Sequence, residues 1–154
     1  MKNLRGNCLK LDYQSDSNFI QKLLLENKMK TELVYTSSAK RALLTTNFLF
    51  SESCNIINKN SLYLCDYIQI ISLLKAIPSN INEVAIVGHE PSISETLNYL
   101  VGECRPDLQN ILKKPYPTAG LSVIHLNINS WTKLEEKSGI FDAFVQPNNL
   151  NDYE

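Results

Sequence analysis

The chain has 154 residues, enough for one domain that buries most of the surface its unfolded form would expose. Its 44% hydrophobic and 20% charged residues are those of an ordinary globular protein, and a formal net charge of -1 argues against a nucleic-acid or anionic-membrane partner. No apolar run approaches the length of a bilayer span and the polar N-terminus has no signal-peptide core, so a cytoplasmic protein is expected.

In chain order, Phe19, Ile20, Leu23, Leu24 and Met29 recur at helical spacing over 16–29, with Ser15 or Asp16 as N-cap. Glu32 to Tyr35 reads as a strand, and Thr36-Ser37-Ser38 leads into a helix reaching Phe50, with Ala39, Ala42, Leu43, Thr46 and Phe50 on one face. A weak strand over 55–57 precedes the polar turn Asn58-Lys59-Asn60-Ser61. Asp66 is placed to cap a helix whose apolar positions are Ile68, Ile71, Leu74 and Ile77, stopped by Pro78. A buried strand then ends at Val87, and a helix over 92–101 follows, with Ser92 and Glu95 as capping box and Gly102 as C-terminal stop. A short helix over 106–112 and strands over 121–128 and 140–145 complete the pattern, and the tail over 148–154 is expected to fray.

Strand and helix alternate through the centre, which predicts an α/β fold with a mainly parallel sheet covered on both faces. The loops Thr36-Ser37-Ser38 and Gly88-His89-Glu90 then leave the same carboxyl edge, where such folds place ligands. Arg41 lies near the start of its helix, where a cation opposes the dipole unless an anion sits between them. Arg41 and His89 would therefore converge on a small tetrahedral anion such as phosphate. The alternative is a solvated arginine and a satisfied loop histidine.

Other residues carry less. Cys8, Cys54, Cys65 and Cys104 show no zinc or redox spacing, and Cys65 between Leu64 and Asp66 has no cationic activation. The remaining arginines are Arg5 and Arg105, the latter expected to be solvated. His125 falls on the polar side of its strand, away from catalysis. Asp66 reads as a cap before it reads as a general acid. Glu90 either orients His89 or complements a helix dipole.

Ser37-Ser38-Ala39-Lys40-Arg41-Ala42-Leu43-Leu44-Thr45 resembles the second motif of the histidine phosphatase superfamily, and Val87-Gly88-His89-Glu90-Pro91 resembles its Gly-His motif. Leu62-Tyr63, the helix ending Ala76-Ile77-Pro78, Pro117-Thr118-Ala119-Gly120-Leu121 and the segments from Ser130-Trp131 to Pro147 are similar to the small SixA-type phosphohistidine phosphatases. The resemblance runs from about Leu9 to Pro147 and implies a three-layer α/β/α sandwich of phosphoglycerate-mutase-like fold, a single domain over 1–147. It implies Arg41 as a phosphate-binding arginine and His89 as the second histidine that steadies the transferring phosphoryl group. No cofactor or metal is implied.

The family's nucleophile comes from an Arg-His triplet at the end of the first strand, and no histidine precedes His89 here. Arg5-Gly6-Asn7 lacks it and Met1 to Leu4 is short for a strand, so the first strand is expected to be missing. Loss of a central strand would leave its neighbours with unpaired backbone groups, which favours truncation over a degenerate, strand-less member. The expected function is phosphohistidine phosphatase-like, acting on a phosphorylated protein or small phosphate ester, monomeric, and inactive or truncated as the chain stands. The alternative is a non-catalytic phosphate- or phosphoprotein-binding module.

Overall fold

A computed structural model describes residues 2–8 (as backbone), 30–50, 54–117 and 120–146. The expected helix over 16–29, Thr118 and the tail over 148–154 lie outside the described residues. Seven strands form one sheet in the order β3-β2-β4-β1-β6-β7-β5. They are β1 (Lys2–Cys8), β2 (Leu33–Ser37), β3 (Asn55–Lys59), β4 (Glu83–Gly88), β5 (Val101–Cys104), β6 (Gly120–Leu126) and β7 (Gly139–Val145). The expected mainly parallel α/β sheet is present, because only β6 runs against both of its neighbours.

Period-two alternation assigns the faces. Leu33, Tyr35, Val84 and Ile86 point into one core, packed with Ile70, Ile71 and Leu74 of α2 (Tyr67–Lys75) and with Ile93, Leu97 and Leu100 of α3 (Ser92–Leu100). Val34, Ala85 and Val87 point into the other, packed with Ala42 and Leu49 of α1 (Lys40–Leu49). Helices therefore cover both faces. Trp131, wholly buried, donates its ring N–H to the Ile81 carbonyl at 2.8 Å, which satisfies its polar atom inside the larger core. A 3-10 turn Pro106–Leu108 runs into the single turn α4 (Gln109–Leu112), and a further 3-10 turn, Trp131–Lys133, separates β6 from β7.

The first strand is present, contrary to expectation. β1 lies at the centre of the sheet, parallel to β4 from Asn3↔Glu83 to Cys8↔Gly88 and antiparallel to β6 from Lys2↔Leu126 to Cys8↔Gly120. Its sequence, Lys2-Asn3-Leu4-Arg5-Gly6-Asn7-Cys8, has no run of apolar or β-branched residues, so nothing local marks it. Its two neighbours supply the pairing instead, and they would carry the unpaired backbone groups without it. What is corrected is the expected absence of the first strand.

Local details also differ. Ser92 and Glu95 form no capping box: the N-cap is Pro91, and Ser92 Oγ donates to the His89 carbonyl at 2.7 Å. Glu90 takes over the N-terminal role, its carboxylate accepting from the Ser94 backbone N–H at 3.0 Å and the Ser94 hydroxyl at 2.6 Å. Gly102 is in β5, not at a helix stop, and a Cβ there would lie 2.0 Å from the Lys137 carbonyl oxygen. Close backbone approach is what requires glycine. Asp66 does cap α2, in a reciprocal capping box with Gln69.

Candidate phosphate site

β1, β2 and β4 are parallel, so Cys8, Ser37 and Gly88 end at one edge of the sheet. Ser37 is the last residue of β2 and is fully buried, and His89 follows Gly88 at 7% exposure. Arg41 stands in the first turn of α1, exposed to solvent. Thr46 ties that helix to the sheet through its hydroxyl, 2.8 Å from Thr36 Oγ1 on β2, and also lies within hydrogen-bond distance of the Ala42 carbonyl of its own helix. Both threonines are wholly buried, and the hydroxyl pair satisfies them where α1 meets β2.

The two expected site residues meet. Arg41 Nη2 lies 3.0 Å from His89 Nδ1, and His89 Nε2 lies 2.7 Å from Ser37 Oγ. A guanidinium can only donate, so Nδ1 accepts, and Nε2 of the neutral ring carries the proton and donates to Ser37. Ser37 Oγ also accepts the Ala39 backbone N–H at 3.3 Å. With both lone pairs engaged, the serine hydroxyl is a donor and no nucleophile activated by His89. Tyr63 closes the other side, its ring edge-on to the imidazole at 5.7 Å and 88°.

Electrostatically the arrangement is poised against a positive ring. Burial, and then the Arg41 charge, hold the His89 pKa below its ordinary value. The first turn of α1 holds Lys40 and Arg41, no acidic residue, and no side-chain cap. Two cations face the positive end of a helix dipole there. Glu90 does not orient His89, since its carboxylate is turned to Ser94.

Sequence reasoning found Arg41 and His89 but missed the roles of Ser37 and Tyr63 beside the ring. Ser37 was signalled by closing a strand on the shared edge. Tyr63 entered only through the Leu62-Tyr63 resemblance, without a role. Of the residues set aside, Arg105 is solvated and paired with Asp107 at 2.9 Å, and Cys65 is buried.

No family model matches the chain. An uncharacterised protein of Mycobacterium leprae (strain TN) is 32% identical over 87 residues, which are 56% of this chain and 53% of that protein. The chain thus spans about half the length of the curated relative it matches. Solved structures match across almost the whole length. One assigned as a phosphohistidine phosphatase SixA from Nakamurella multipartitia has a TM-score of 0.73 at 18% identity, covering 95% of this chain and 96% of that one. Another with that assignment, from Agrobacterium tumefaciens, has a TM-score of 0.72 at 19% identity, covering 95% and 98%. The protein histidine phosphatase SixA complexed with tungstate gives 0.66 at 16% identity, covering 96% and 99%. The chain has the fold of the SixA-type phosphohistidine phosphatases. In this SixA-type fold β1 occupies the centre of the sheet, and here it ends in Asn7-Cys8 where Arg-His was sought. No helix among the described residues is long and apolar enough to cross a membrane.

Proposed function

We propose that this protein is phosphatase-like and receives the phosphoryl group of a phosphorylated protein between Arg41 and His89, with turnover low because no histidine ends β1. The observation that supports this most directly is the 3.0 Å approach of Arg41 to a buried imidazole at the mouth of an uncapped helix. A cation aimed at a base, beside Lys40 and a helix N-terminus, is relieved by a dianion between them. The anion draws Arg41 away from Nδ1, accepts the backbone N–H groups of α1 and the Ser37 hydroxyl, and favours protonation of His89. Phosphoryl transfer asks for this kind of positioning and positive charge. The tungstate complex of a SixA of the same fold fits such a pocket, tungstate being a tetrahedral oxyanion like phosphate. The proposal includes a cytoplasmic monomer.

Phosphate binding tests this. Inorganic phosphate at ten to a hundred times its Kd stabilises by about 1.4–2.7 kcal/mol, a rise in Tm of about 3–10 °C for a chain of this size. Arg41→Ala abolishes the rise, and aryl phosphate turnover stays close to the buffer rate. An unchanged Tm with phosphate sinks the proposal.

A further inference from the structure

The exposed apolar side chains are not scattered. Five large hydrophobic residues stand out to solvent among the described residues: Leu44, Tyr63, Leu64, Ile68 and Ile140. Three of them belong to one turn and the helix start beside the pocket, whereas Leu44 lies on α1, which covers the other face of the sheet. Tyr63, Leu64 and Ile68 belong to the turn and first residues of α2, and Tyr63 itself touches the His89 ring.

The turn holds these side chains outward by construction. Leu62 and Cys65, 1% and 9% exposed, bury on either side of Tyr63 and Leu64, which are 49% and 81% exposed. The Tyr63 N–H bonds to the Asn60 carbonyl at 3.0 Å. The Asp66–Gln69 capping box follows, with bonds of 2.8 and 3.0 Å. Leu64 has φ 55°, the left-handed region that a branched aliphatic side chain rarely adopts. A strained leucine displayed to solvent brings the free chain no burial, and such strain collects where a ligand docks.

We propose that Tyr63, Leu64 and Ile68 form an apolar rim that grips the polypeptide around the phosphorylated residue, selecting substrates with large apolar side chains next to it. This rests on the phosphate pocket proposed above. The occupant is a phosphorylated protein segment because the rim adjoins a mouth with two cations, Lys40 and Arg41, which complement the phosphate of such a segment but not an apolar surface alone. Rigid apolar side chains beside a charged anchor bind with little ordering cost.

Two short peptides carrying a non-hydrolysable phosphohistidine analogue test this, one flanked by Leu and Phe, the other by Ser and Gly. The apolar-flanked peptide is expected to bind about tenfold tighter, as burial of one aliphatic side chain allows. Leu64→Asp and Leu64→Gly both reduce that preference to less than threefold and leave the Tm shift with inorganic phosphate intact. Leu64→Gly, which relieves the left-handed backbone, does so with a Tm no lower than the parent's. Equal binding of the two peptides, or a preference that survives both variants, overturns the rim while the phosphate pocket stands. So does a dimer in sedimentation that Leu64→Asp dissolves, because a second copy would then cover the patch. Absence of any phosphate shift in the parent overturns the pocket and the rim with it.

Discussion

The two histidines of the chain show what separates a site from a satisfied surface. His125, near the end of β6, places Nε2 3.0 Å from Asp142 Oδ2 on β7, with its side chain 30% exposed. Base and acid are matched there. His89, at the end of β4, is more deeply buried, and the charged group against it is a guanidinium. One histidine has the partner that electrostatics would choose, and the other has a partner of the sign that disfavours its protonated form. In the free protein the neutral ring is satisfied by Arg41 and Ser37, and an anion between Arg41 and His89 is what would favour the protonated form.

Removing the buried ring breaks the comparison most strongly. His89→Ala takes the donor from buried Ser37 and opens a gap beside Tyr63, and it is expected to cost about 1–3 kcal/mol in urea unfolding. A loss under about 0.5 kcal/mol would match an exposed surface residue and would mean that the Ser37–His89 bond does not hold the edge of the sheet together.

A smaller effect sharpens the electrostatic half. The folded pKa of His89 is depressed, chiefly by burial and then by Arg41, so the unfolded chain binds this proton more readily. The free protein therefore loses stability as pH falls from about 6.5 towards the folded value, and is unaffected by this group above it. A bound dianion reverses the preference. Sulfate, which does not titrate in this range, should bind about three- to tenfold tighter at pH 5.5 than at pH 7.5. The other groups against the ring are Arg41, Ser37 and Tyr63. Calorimetry in His89→Asn checks the assignment, since sulfate affinity should there be flat with pH. A parent protein with flat affinity would remove the coupling.

The sequence carried the paired centre of this site well and its margins poorly, for physical reasons. Arg41 and His89 could be paired because parallel strands deliver their following loops to one edge, whatever the details of each loop. Asp66 was legible because a capping box is a local arrangement with fixed spacing. β1 was not, because Lys2-Asn3-Leu4-Arg5-Gly6-Asn7-Cys8 becomes a strand through β4 and β6 on either side and not through its own side chains. Ser92 looked like a cap, but the His89 carbonyl offered its hydroxyl a better partner. Ile68, counted among the apolar positions of its helix, is 57% exposed, because the buried face of α2 passes through Ile70, Ile71 and Leu74. That departure from pattern is also what exposed the rim beside the pocket.

The smallest expected effect tests the matched pair. In the β6–β7 register His125 lies opposite Ile140, so Asp142 is a diagonal neighbour two residues along. Both side chains keep access to water, at 30% and 49% exposure, which screens their attraction. Asp142→Asn should cost less than about 1 kcal/mol, and less again in high salt. It should leave the phosphate-dependent Tm shift intact, because β6 and β7 lie beyond β1 from β2 and β4, whose ends carry Ser37 and His89. A large loss of the phosphate shift in this variant would mean that the far half of the sheet sets the geometry of the pocket, and the separation drawn between the two histidines would fail.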